Sequence, residues 1–160
     1  MCGITGKVSL ANTNVSTHDI ETMTNAIKHR GPDDGGAYIS PDKRVGLGHR
    51  RLSIIDLSPL GHQPMRYLNR YEIVFNGEIY NFQEKRDALE REGYRFTSHS
   101  DTEVILALFD KYRENCLEHL RGMFAFAIYD ERERILFCAR DRVGKKPFRY
   151  FLHWQTLLVP

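Results

Sequence analysis

Met123-Phe124-Ala125-Phe126-Ala127-Ile128-Tyr129 has no wet face. Phe124, Phe126 and Ile128 alternate with Met123, Ala125, Ala127 and Tyr129. Side chains of a strand point to opposite faces in turn, so this stretch reads as a strand covered on both sides. Downstream, Asp130-Glu131-Arg132-Glu133 turns the chain into an antiparallel partner at 134–139. Residues 140–147 read as a charged loop and 148–152 as a last aromatic strand. Upstream, Ser100 and Glu103 resemble a capping box. It opens a long amphipathic helix with Val104, Ile105, Leu108, Phe109 and Tyr112 on its buried side.

Further outward, Asn81 is placed to cap a helix over 82–92, with Glu84 in its first turn and Gly93 past its end. Residues 71–75 form a short apolar strand that runs into Asn76-Gly77-Glu78, a strong turn signal. Pro59, Gly61 and Pro64 exclude regular structure from 58–65. Residues 37–40 and 45–50 pair across Ser40-Pro41-Asp42-Lys43. A helix over 16–30 starts with Ser16 and Asp19, carries Ile20, Met23 and Ile27 at helical spacing, and stops at Gly31-Pro32. The acids of the following loop, Asp33 and Asp34, fit a Gly/Asp turn better than a metal site. Residues 3–10 read as a strand that takes the N-terminus into the core. Strands, then helices, then strands, with no repeating βαβ unit, predict an α+β domain of antiparallel sheets covered by helices.

Composition narrows the function classes. The chain has 160 residues, 41% hydrophobic and 28% charged, which suits one globular domain with its own core. A net charge of +2 makes no case for nucleic acid. No apolar run approaches the ~20 residues of a membrane span, and no signal peptide precedes Cys2. The three cysteines, Cys2, Cys116 and Cys138, contain no CxxC pair, which argues against a disulfide framework or a zinc site. A reducing, cytoplasmic setting fits. Cys116 and Cys138 read as packing residues.

Cys2 is different. Removal of Met1 would leave a thiol and a free α-amine on one residue: a nucleophile and a base for acyl transfer. In free peptides these titrate near ~8.5 and ~7.7–8.0, both close to working pH. Arg51 offers a planar fork for a carboxylate. The Asn76 side-chain amide and the Gly77 N–H can aim at one oxygen. Asp101, and Glu78 with it, offers a negative charge for an ammonium group. Each has a plainer reading: Arg51 as a surface arginine, Asn76-Gly77 as a hairpin turn, Asp101 as a complement to its helix dipole.

Taken together, the motifs are specific. They are Met1-Cys2-Gly3-Ile4-Thr5-Gly6, Arg30-Gly31-Pro32-Asp33, His49-Arg50-Arg51-Leu52-Ser53-Ile54, His62-Gln63-Pro64-Met65, Asn76-Gly77-Glu78-Ile79-Tyr80-Asn81 and Ser100-Asp101-Thr102-Glu103. The match continues through Arg121-Gly122-Met123-Phe124 and Arg140-Asp141-Arg142-Val143-Gly144. The chain resembles the glutaminase domain of class II, N-terminal-nucleophile, glutamine amidotransferases, most closely that of glutamine-hydrolysing asparagine synthetases. The resemblance implies a four-layer αββα sandwich of two antiparallel sheets, the N-terminal-nucleophile hydrolase type. It implies Cys2 as nucleophile, Asn76 and Gly77 as oxyanion hole, and Arg51 on the glutamine carboxylate. It further implies Glu78 and Asp101 on the α-amine, with Leu52 and Ile54 lining the pocket. The reaction would be thioester formation with release of ammonia, then hydrolysis to glutamate.

The resemblance covers residues 1 to about 148. Beyond it, Arg149 to Pro160 departs from the family pattern, and no Ser-Gly-Gly phosphate loop follows. The expectation is a C-terminally truncated glutaminase domain over 1–160, without the ATP-binding synthetase domain and with its last strands in question. No cofactor or metal is expected in this chain, since ATP and Mg belong to the synthetase domain. Expected partners are L-glutamine and a synthetase domain or subunit that accepts ammonia, with a homodimer left open and no nucleic acid or membrane. Two alternatives stand beside this: a non-catalytic copy that binds glutamine or a partner, and the glutaminase of another class II amidotransferase.

Overall fold

The structure, a computed structural model, describes residues 2–11, 13–53, 58–153 and 156–159. Among these the chain runs β1 (Gly3–Ser9), α1 (Thr17–Ala26), β2 (Asp34–Ile39), β3 (Val45–Arg51), β4 (Met65–Tyr67), β5 (Tyr71–Ile79), α2 (Phe82–Arg91), α3 (Asp101–Tyr112), β6 (Gly122–Asp130), β7 (Ile135–Arg140), β8 (Phe151–His153) and β9 (Thr156–Val159). Short 3-10 turns lie at Lys28–Arg30, Pro59–Gly61 and Arg113–His119.

The strands form two antiparallel sheets, ordered β2-β3-β1-β9-β8 and β4-β5-β6-β7. β6 has two dry faces because it is central in its sheet and covered on both sides. Phe124, Phe126 and Ile128 pack with Ile105, Leu108 and Phe109 of α3, while Ala125, Ala127 and Tyr129, with Val74 of β5 beside them, face Ile4, Val45 and Leu47 across the inter-sheet space. α1 lies against β1, β2 and β3, α3 lies against β4 and β5, and α2 packs on α3. The result is the four-layer αββα sandwich, an α+β fold. β3 shows why its two faces differ. Val45 and Leu47 point between the sheets, whereas Gly46 and Gly48 face α1. A Cβ at Gly48 would stand 2.0 Å from Thr24 Oγ1, so the helix sits this close only on glycine.

The helix starts follow their capping residues. Ser16 and Asp19 form a reciprocal capping box on α1. Ser100 caps α3 through Thr102 N, but Glu103 does not close the box expected from the sequence. Its carboxylate turns back to the N–H groups of Thr97 and Ser98 instead, organising the loop before the helix. Asn81 sits at the N-cap of α2 without a side-chain cap bond. It bridges His119 O and Arg121 N, tying α2 to the start of β6.

Several boundaries differ from the sequence reading, and within 58–65, read as irregular, Pro59–Gly61 forms a 3-10 turn and β4 begins at Met65, where pairing with Ile73 takes over just past Pro64. α1 ends at Ala26 and the chain continues to Arg30 as a 3-10 turn. β2 begins at Asp34, because Asp34, Gly35 and Gly36 pair with Arg51, Arg50 and His49 of β3. β5 continues to Ile79, so Asn76-Gly77 is not a turn; it is held extended by pairing with Ala125 and Phe124. The last aromatic strand begins at Phe151 rather than at 148, and β9 follows it, lying between β1 and β8. Among the described residues no helix is long and apolar enough to cross a membrane.

Candidate active site

The register that fills the inter-sheet core also builds a cleft at one end of it. On β3 the inward positions run Val45, Leu47, His49, Arg51, and on β5 they run Val74, Asn76, Glu78. Cys2 precedes Gly3, which pairs with Arg50, so the thiol stands beside the end of β3. The structure gathers Cys2, Arg51, Leu52, Asn76, Gly77, Glu78 and Asp101 around one cleft of about 650 Å³ counting its open mouth. Ile54 lies outside the described residues.

The thiol is pinned at Leu52. Leu52 N–H points at Cys2 Sγ from 3.4 Å, and the S–H reaches Leu52 O at 3.6 Å. Arg30 Nε holds the Cys2 carbonyl at 3.3 Å. Arg51 is buried, and its Nη1 donates to Ser58 O at 3.1 Å. Asp33, just before β2, and Asp34, its first residue, hold the chain on either side of this segment. Asp33 accepts Ser53 N–H at 2.8 Å, and Asp34 lies 2.7 Å from His62 Nδ1. Those carboxylates work as turn and loop anchors, and among the described residues no cluster of three or more His, Cys, Asp or Glu is placed to hold a metal.

One edge of β5 decides what Gly77 can do. β4 covers only residues 71–73 of that edge. Beyond it, Phe75 N–H donates to Gln63 Oε1 at 2.6 Å, and Ile79 N–H donates to Asp101 Oδ2 at 2.9 Å. The β5–β6 register is unbroken from Tyr71 to Ile79, and alternate residues of a strand send their N–H to the same edge. Gly77 N–H therefore points into the cleft between two side-chain caps. Glycine is required there: a Cβ would stand 2.2 Å from Met123 O of the neighbouring strand. Asn76, 5% exposed, directs its side chain into the inter-sheet space from the adjoining position.

Charge in the cleft is mixed. Asp101 is 4% exposed, and burial pushes its carboxyl up to about 6, with the nearby Glu78 adding to the rise and the Ile79 N–H opposing it. Lys146 is also buried, which lowers its ammonium below the ordinary lysine value, while the neighbouring Cys2 opposes that shift. With Arg51 and Glu78, the cleft offers cations and anions together, as an amino-acid head group requires.

The sequence reading missed Gln63, Thr102 and Lys146, which also line the cleft. Gln63 joins Phe75 N to Thr102 Oγ1, so it spans from β5 to the start of α3. Its signal was weak, a single amide in a Pro- and Gly-rich stretch. Lys146 reaches the cleft because Asp141 accepts the N–H groups of Lys145, Lys146 and Phe124, folding the charged loop back onto β6.

Comparison with known proteins decides the family. Residues 1–159 match the model of the glutamine amidotransferase domain. The chain belongs to that family. This glutamine amidotransferase domain is 47% identical to asparagine synthetase (glutamine-hydrolyzing) 1 of Bacillus subtilis over 94% of its length and 24% of that protein. It is 44% identical to putative asparagine synthetase (glutamine-hydrolyzing) 2 of Methanocaldococcus jannaschii, over 94% of this chain and 32% of the relative. The chain thus spans about a quarter to a third of these relatives' length. In fold it is similar to the glutamine phosphoribosylpyrophosphate amidotransferase of B. subtilis, with a TM-score of 0.80, 20% identity, and 98% of this chain and 41% of that chain covered.

Proposed function

We propose that the chain hydrolyses glutamine to glutamate and ammonia with Cys2 as an N-terminal nucleophile, as the glutaminase part of an asparagine synthase that amidates aspartate. The supporting observation is the uncovered edge of β5. There Gly77 N–H is aimed into the same cleft as the Cys2 thiol, with both flanking edge N–H groups already taken by side chains.

In this reading, glutamine seats its α-carboxylate on Arg51 and its α-ammonium between Glu78 and Asp101. Leu52 lines the pocket, and the side-chain carboxamide lies over the thiol. The Cys2 sulfur attacks the amide carbon, and its proton passes to the α-amine of the same residue. The oxygen that gains charge meets the Asn76 side-chain amide and the Gly77 N–H; losing one such donor typically costs about 3–4 kcal/mol of barrier. Collapse returns the proton to the leaving nitrogen and releases ammonia, leaving a thioester. Water then attacks the thioester, giving glutamate and the thiol. Ammonia passes to a synthetase domain or subunit, where ATP and Mg would serve the acceptor reaction. The setting is cytoplasmic, where the thiol stays reduced.

The test is glutamate release from glutamine by the purified chain, with mass spectrometry of its N-terminus. Wild type should begin at Cys2 and turn over. Cys2→Ala should abolish turnover, and so should a chain that retains Met1, because the α-amine is then lost as a base. Turnover by Cys2→Ala would overturn the reading.

A further inference from the structure

His49 stands at the change from core to cleft and has no role in the chemistry above. It is fully buried, pairs with Ile4 and Gly36 in its sheet, and follows Val45 and Leu47 in the inward row of β3. An aliphatic side chain would continue that row. Instead an imidazole reaches across the inter-sheet space, its Nε2 3.1 Å from Phe75 O on β5. A carbonyl oxygen only accepts, so Nε2 carries the hydrogen and Nδ1 is left as a bare acceptor. Among the described residues, His49 Nδ1 is the buried side-chain nitrogen or oxygen with no partner. Burying an acceptor without a partner is unfavourable, so packing alone does not account for the ring. Burial lowers its pKa to about 4, which keeps it neutral at working pH.

The bonded carbonyl belongs to the residue before Asn76. Phe75 is therefore held twice on its cleft edge, by Gln63 at its N–H and by His49 at its C=O. The next N–H on that edge is that of Gly77. We infer that His49 is a positioning residue: it ties the strand that carries Asn76 and Gly77 to the sheet that carries Cys2 and Arg51, setting the distance between sulfur and oxyanion donors. The inference rests on the glutaminase reading. Oxyanion donors act only when placed at the position the charged oxygen will occupy, and small misplacements are expensive.

The two side-chain amides test it. Glutamine places its terminal nitrogen near where Nε2 stands, asparagine near where Nδ1 stands. His49→Gln and His49→Asn are to be assayed for kcat and KM toward glutamine at matched folded fraction, judged from urea unfolding. Inhibition by the γ-aldehyde analogue of glutamine, whose adduct with the thiol is tetrahedral, is measured alongside. His49→Gln should stay near wild type. His49→Asn should lose about 10- to 100-fold in kcat, with KM changed by no more than about twofold and with aldehyde inhibition weakened in parallel. Equal kcat for the two variants, or a loss of kcat with unchanged aldehyde inhibition, would overturn the positioning role while leaving the glutaminase reading intact. A processed wild-type chain that releases no glutamate would remove that reading and this inference together.

Discussion

The space between the two sheets is closed at one end and open at the other, and the same strands build both ends. At the closed end Val45 and Leu47 of β3 meet Val74 of β5 and Ala127 and Tyr129 of β6. At the open end the next inward positions are His49 and Arg51 on β3, Asn76 and Glu78 on β5. Apolar burial of about 1.5–3 kcal/mol per large side chain stabilises the closed end. The open end holds polar groups that would rather be hydrated. One register serves both: the core supplies the stability that keeps the cleft's groups out of water and in line.

Exchanging sensitivities between the two ends would break this comparison. Leu47→Ala, at a fully buried position, should destabilise the fold by about 2–5 kcal/mol in urea unfolding, with turnover per folded molecule retained. Asn76→Ala should do the reverse, lowering kcat about 10²–10³-fold with an unfolding midpoint close to wild type. A large stability loss in Asn76→Ala would mean that the open end is structural after all.

Asp101 sharpens the comparison through pH. Its folded pKa, about 6, lies above the ordinary 3.8. The stability linked to its protonated form is fully present below 3.8 and is lost as pH rises through about 6, a swing of roughly 3 kcal/mol. The charge needed for an ammonium group appears over the same window in the opposite sense. Wild type should therefore lose stability relative to Asp101→Asn as pH climbs through this range. Its kcat/KM for glutamine should fall as pH drops below about 6, while Asp101→Asn stays weak throughout. A pH-independent stability difference between the two would remove the charged cleft floor from the argument. The smallest effect is expected at the helix start: Ser100→Ala removes the α3 cap and should lose about 1 kcal/mol, with little change in kcat.

Much of this was legible in the chain. The two dry faces of β6 required cover on both sides, and that requirement is a four-layer fold in outline. Cys2, Arg51, Leu52, Asn76, Gly77, Glu78 and Asp101 could be singled out because their chemistry suits one small substrate, and the structure brings them to one cleft. Asn76-Gly77 shows the limit. Local turn propensity predicted a reversal, but the dipeptide lies within β5, because pairing with β6 outweighs a preference worth little on its own. Glu103 misled in the same way: its capping spacing is real, yet the loop at Thr97 and Ser98 offers its carboxylate more N–H groups than the helix start does.

Sequence by itself determined which residues can carry chemistry and which strands must be buried, since both follow from side-chain type and period. Tertiary structure alone decided where the unspent hydrogen bonds lie. That β4 pairs no further along β5 than Met65 opposite Ile73, that Gln63 and Asp101 cap Phe75 and Ile79, and that His49 crosses to Phe75 O are matters of packing between separate segments of the chain. No local pattern encodes them. They exist because a buried backbone group must find a partner, and only the packed arrangement of the two sheets determines which partner is within reach.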